Sequence, residues 1–141
     1  MPRTDTKGTS LRVDAALLAG KGLEDGGDRA AKKKGNPRRI LSQRDPRQQI
    51  AIVFEGDIVV AIYESGPAKV EIVDCFYDEF VHVVEGQMIL TDDKGVAQEY
   101  NKGDNFVMPK GFCGTWEMTS DVFRELVAIE TKSLEADHNA E

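Results

Sequence analysis

From residue 50 onward the apolar positions of this chain fall in short β-branched runs cut by turn residues; before residue 50 they do not. The runs 50–54 and 58–63 flank Glu55-Gly56-Asp57, 69–74 follows Ser65-Gly66-Pro67, and 80–84 leads through Glu85-Gly86 into 87–91. Asp92-Asp93-Lys94-Gly95 reads as a hairpin loop with Gly95 placed for positive φ, and the runs 96–100, 105–108, 115–118 and 122–129 complete about nine strands. Short strands at even spacing with turn signals between them predict an all-β barrel over 50–131. Residues 1–49 read as a basic, Gly-rich N-terminal extension and 132–141 as a polar tail. The one apolar patch of the extension, 13–18, is long enough for two turns of helix begun by Asp14 and stopped by Gly20. A helix that short needs a surface to pack on. The stretch 26–37, from Gly26-Gly27 to Asn36-Pro37, carries the signals of a loop.

Composition adds bounds to this pattern. At 141 residues the chain supports one domain with a core and a modest extension. No apolar run approaches the roughly 18 residues of a membrane span, and the first ten residues are polar where a signal peptide is apolar, so the expectation is a soluble, cytoplasmic protein without a membrane partner. Cys75 and Cys113 are too few for a disulfide framework and read as small buried thiols. The net charge of −7 hides an asymmetry: residues 1–50 hold 12 Lys and Arg against 6 Asp and Glu, and residues 51–141 hold 6 against 19. An acidic barrel argues against nucleic acid, which is bound chiefly by basic side chains on phosphates. The basic arm is expected to lie on the acidic barrel of its own or a partner subunit, with 13–18 as anchor. Strands 50–54 and 58–63 are apolar on successive positions, hence on both faces, which predicts a homodimer.

Two separated motifs carry the barrel's likeness. Glu79 stands seven positions before Gly86 in Asp78-Glu79-Phe80-Val81-His82-Val83-Val84-Glu85-Gly86, and Gly103-Asp104 opens a run closed by Pro109-x-Gly111-x-x-Gly114-Thr115-Trp116. With Ile62-Tyr63-Glu64-Ser65-Gly66-Pro67, these strings resemble the cupin superfamily, a single jelly-roll barrel. Within it they resemble the group named for the (S)-ureidoglycine aminohydrolase cupin domain, which includes the ethanolamine-utilisation cupin. The resemblance implies a barrel that holds a small molecule, and in metal-binding members a set of three histidines and a carboxylate. Here the carboxylate position is Glu79, while the histidine positions hold Val73 with Cys75, or Ile72 with Asp74, and Gly114. Where that group has a Lys-Tyr pair, this chain has Glu125-Leu126, an anion for a cation.

A lone carboxylate holds a transition ion poorly, so no metal and no other cofactor is expected. Glu79 is the residue placed for acid/base work or ligand contact, since desolvation between Val81 and Val83 would raise its pKa; its other reading is a retained barrel residue held by a hydrogen bond. Trp116 shares a strand face with Gly114 and Met118 and would form a flat wall or simply core. Tyr63, Glu64 and Tyr77 are candidate polar groups at the mouth, and Asp74 and Cys75 candidate ligand contacts. Alternation sends His82 to the face opposite Glu79, outer or dimer-facing, with a role in the site as the other reading. Three function classes stand: a cupin binding an unidentified small polar metabolite, with or without a reaction; a non-catalytic binding or assembly module; and a metal-dependent enzyme with a non-histidine ligand set.

Overall fold

The computed structural model describes residues 3–28, 38–43 and 47–133. In chain order the elements are a one-turn helix α1 (Ala15–Leu18) and strands β1 (Glu24–Asp28), β2 (Arg38–Gln43), β3 (Arg47–Glu55), β4 (Ile58–Ser65), β5 (Ala68–Ile72), β6 (Glu79–Glu85), β7 (Gln87–Asp92), β8 (Ala97–Asn101), β9 (Asn105–Met108), β10 (Gly114–Met118) and β11 (Phe123–Glu130). They form two antiparallel sheets, one ordered β1-β3-β4-β11-β6-β9 and the other β2-β5-β10-β7-β8. Every strand read from the alternation is present within a few residues of its expected bounds. No helix among the described residues is long and apolar enough to cross a membrane.

Period-two alternation decides what each sheet turns inward. On β11 the buried positions are Phe123, Glu125, Val127 and Ile129, and their cross-strand partners on β4 are Ser65, Tyr63, Ala61 and Val59. On the facing sheet Val70, Trp116 and Leu90 form one inward row across three strands. The sheets interlock through an aromatic file whose members alternate between them. Tyr100 of β8 stacks on Phe106 of β9 at 4.1 Å, Phe106 tilts against Trp116 of β10 at 5.7 Å, and Trp116 meets Phe123 of β11 edge-on at 6.3 Å. Such geometry fills the interior with apolar area in orientations that favour the rings' quadrupoles. The β6–β7 turn depends on Gly86, whose φ is +90° and whose missing side chain makes room for the Val122 carbonyl.

The extension contributes more backbone to the sheets than its composition announces. β1 pairs with β3, and β2 pairs with β5, so both sheets gain a strand from residues before 47. β1 occupies part of the stretch expected to be a loop, and residues 29–37 of that stretch lie outside the described residues. The patch 13–18 forms one helical turn rather than two: Asp14 caps α1 by accepting from the Ala16 amide at 2.9 Å, and Gly20 takes φ +85° just past its end. The arm lies on the outer face of the larger sheet of its own chain. Arg124 donates to the Leu18 carbonyl at 3.3 Å, Gly20 sits against the Arg124 guanidinium, and Thr4 bonds Glu55 through both backbone and side chain. Ile62, on that outer face beside the contact, is fully buried.

Candidate functional site

Glu79 and Glu125 are the two charged side chains buried on the inner face among the described residues, 6% and 9% exposed. The register of β6 and β11 separates them. Glu79 faces Ile129 and Met108, whereas Glu125 faces Val83 and Tyr63, four strand positions away, or roughly 13 Å. The interior therefore has two ends, each with one carboxylate.

At the Glu79 end two loops are stitched together. Cys75 donates its amide to the Phe112 carbonyl at 3.1 Å and accepts from the Gly111 amide at 2.8 Å; the Asp74 amide donates to Cys113 Sγ at 3.3 Å, and the Lys110 amide to Asp78 Oδ1 at 2.8 Å. To meet these bonds Asp74 takes φ +51°, a left-handed conformation that aspartate tolerates because its short side chain can bond locally. Tyr77 and Cys75 are buried in the core cluster beneath this clamp, and Cys75 Sγ lies 3.5 Å from the Tyr77 carbonyl.

The places that hold histidine in metal-binding barrels of the resembled kind do not fit a metal here. Val73 is 55% exposed and Asp74 is exposed, so both face away from the interior, while the Cys75 thiol is turned toward the Tyr77 carbonyl. Gly114 is closed to any side chain: a Cβ there would collide with the Thr91 carbonyl oxygen and press on Asp92 and the Phe112 ring, and its φ of +156° disfavours every other residue. Among the described residues no three His, Cys, Asp or Glu side chains come together as a metal-holding group.

At the Glu125 end the surroundings are aromatic. Tyr63 is the direct cross-strand neighbour of Glu125, half-buried against the core; Phe123 lies two positions away on the same face, and Trp116 packs edge-on to Phe123. In the middle of the facing sheet Val70, Leu90 and Trp116 keep 6–8% of their surface accessible, whereas Val81, Val83 and Met88 keep none. All six belong to the buried core cluster. Behind this end, on the outer face, Arg124 grips Glu64 Oε1 through Nε at 2.8 Å and Nη2 at 2.7 Å while holding Leu18 of the arm.

The structure thus sorts the residues that sequence nominated. Tyr63 and Trp116 belong with Glu125, and Tyr77 and Cys75 with Glu79. Glu64 is on the outer face in its ion pair with Arg124, Asp74 is exposed in the clamp, and His82 is on the outer face, hydrogen-bonded to Asn105 Oδ1 at 2.7 Å. Glu125 is not among the nominated residues; the signal for it in the sequence is the anion of Glu125-Leu126 where the resembled group has a Lys-Tyr pair.

A family model described as EutQ-like cupin domain matches residues 53–125. Solved structures agree at the level of fold. The polyketide cyclase RemF from Streptomyces resistomycificus superposes with a TM-score of 0.57 at 17% identity, over 86% of this chain and 80% of RemF. The Clostridium difficile EutQ protein gives 0.50 at 17% identity, over 59% of this chain and 61% of EutQ. The Schizosaccharomyces pombe Cnp3 cupin domain gives 0.52 at 14% identity, over 66% and 67%. This chain therefore spans less than two thirds of the Clostridium protein. No curated protein matches the chain in sequence. The likenesses identify the two-sheet barrel as a cupin jelly roll and extend no further than fold.

Proposed function

The chain belongs to the EutQ-like cupin domain family, and from that premise we propose that its barrel is a metal-independent binding site for a small polar metabolite, seated at the Glu125 end. The observation that carries this reading is a buried carboxylate on the inner face of β11, between Phe123 and Val127 and directly across from Tyr63. Burying a carboxylate carries a desolvation cost, and a strand that needed only packing would gain from Leu at this place. Its neighbours supply what a small ligand requires: a hydroxyl on Tyr63 and aromatic faces on Trp116 and Phe123. Glu79, under its clamp, supports the barrel end in this reading.

The single tryptophan of the chain provides the test. Titrating the protein with a panel of small amines, amides and polyols while following Trp116 emission is expected to give a saturable change with one of these classes, lost in Glu125→Gln and kept in Glu79→Gln. A response lost only in Glu79→Gln would move the site to the other end.

A second reading is favoured by a different observation. Phe106, Met108 and Trp116 fill the interior within one core cluster, as suits a barrel that serves as a binding or assembly module without catalysis. Its surface for a second copy would be the outer face of β6 and β9, where Phe80 and Val107 are direct cross-strand neighbours, 44% and 58% exposed. Emission unmoved by every ligand class, together with a dimer mass by light scattering that Phe80→Lys converts to monomer, would select this reading.

A further inference from the structure

The two cysteines lie on the two clamped loops. Cys75 is backbone-bonded to Gly111 and Phe112, and Cys113 is the next residue along. Cys113 Sγ already reaches the loop of Cys75, accepting from the amide of Asp74 at 3.3 Å. Both are thiols, one buried and one half-buried. A disulfide requires Cα atoms about 4.4–6.8 Å apart. The Cys75 amide bonds the Phe112 carbonyl and the Cys75 carbonyl the Gly111 amide, so Cys113 follows directly on the segment bonded to Cys75. Each thiol now faces a carbonyl, Cys75 that of Tyr77 at 3.5 Å and Cys113 that of Gly111 at 3.7 Å, so closing the bond exchanges these contacts and the Asp74 amide's bond to Cys113 Sγ for a sulfur–sulfur bond.

We propose that Cys75 and Cys113 form a reversible intramolecular disulfide on exposure to a peroxide, locking the loops 73–78 and 109–113 over the Glu79 end. Cys113, the more accessible thiol, reacts first: its sulfur attacks the peroxide, an S–O bond forms as the O–O bond breaks, and with hydrogen peroxide one water leaves. Cys75 sulfur then attacks Cys113 sulfur; the S–S bond forms, the S–O bond breaks, and the oxygen departs as a second water. Two thiols are oxidised and one peroxide is reduced to two waters. The buried partner resolves the sulfenic acid before a second peroxide reaches it, which protects Cys113 from irreversible oxidation. Because the link closes a long loop in the unfolded chain, the oxidised form is the more stable one.

The test treats the full chain with equimolar hydrogen peroxide and reads intact mass, peptide maps without reductant, and melting temperature. The expected result is the loss of two hydrogens, a cross-linked peptide pair holding Cys75 and Cys113, a melting temperature raised by several degrees, and reversal of all three by dithiothreitol. In Cys75→Ser the same treatment is expected to leave Cys113 carrying oxygen. The peptide map of the unaltered chain decides the matter even if that variant folds poorly. Two alkylatable thiols after treatment, oxygen on Cys113 with Cys75 still a thiol, or a link between two chains would each overturn the proposal.

Discussion

The two inner-face glutamates occupy neighbouring strands of one sheet, yet the protein supports them in opposite ways. Glu79 is held from the end of the barrel by loops that bond each other through Cys75, Gly111, Phe112, Asp74 and Lys110. Glu125 is backed from behind, where Arg124 and Glu64 join the arm to the outer face, and its cross-strand neighbour on the inner face is Tyr63. The difference teaches that a sequence frame and a chemical site can part company. Gly86, Gly103, Pro109 and Gly111 keep the turns of the motif intact, while the space their ligands would use is occupied by backbone at Gly114 and by a thiol facing a carbonyl at Cys75. The carboxylate with aromatic company stands on a strand that carries no motif beyond its alternation.

The hardest challenge to this contrast is Gly114→His. If the Glu79 end is closed, the new side chain must displace the Thr91 backbone, and a loss of about 3 kcal/mol or more is expected in urea denaturation. A well-folded variant that takes up a stoichiometric divalent metal would show that the end was open after all. Next in size is removal of the arm. Deleting residues 1–23 takes away α1, the Thr4 contacts and the cover beside Ile62, and should lower stability by about 2–4 kcal/mol. A melting curve that does not move would mean that the Glu125 end needs no backing.

Arg124→Ala sharpens the same point with one side chain. The pair with Glu64 is largely buried, with side chains 12% and 23% exposed, so removing the guanidinium should cost about 1–2 kcal/mol, more than a surface pair and less than a fully buried one. A double-mutant cycle with Glu64→Gln checks that the two losses are coupled. The smallest expected effect is Asp14→Ala, which removes the α1 cap for about 0.5–1 kcal/mol. An equal loss from this substitution in a chain already lacking the Arg124 guanidinium would show that the cap and the arm contact act independently.

Much of the barrel could be read from sequence because its strands pair a buried face with a period of two, and turns such as Asp92-Asp93-Lys94-Gly95 carry their own chemistry. In that turn the Asp92 carboxylate accepts from the Lys94 and Val96 amides, and Gly95 takes φ +83°. β1 could not be read: Glu24-Asp25-Gly26-Gly27-Asp28 has no apolar position, and an edge strand can be held by backbone pairing alone. Gly26 even has a structural cause, since a Cβ there would strike Ile50, but from sequence it only signals a loop. Glu125 escaped for a related reason. Leu126 and Ala128 are apolar too, so β11 shows no polar face by which to tell inside from outside. His82 was easier, because Phe80-Val81-His82-Val83 is anchored by Glu79 and the alternation sends it out to Asn105.

The turn at residues 55–58 receives both ends of the described chain. Thr4 bonds Glu55 across a separation of 51 residues, Arg3 pairs with Asp57, and Thr131 bonds Asp57 and Gly56, the latter across 75 residues. Contacts of such long range form only after the intervening chain has been ordered, so this hairpin tip is expected to be among the last parts of the molecule to close during folding. Its amides would then gain protection from hydrogen exchange later than those of the β7–β8 hairpin, whose ladder runs from Gln87 with Asn101 to Thr91 with Ala97 and so joins residues near in sequence.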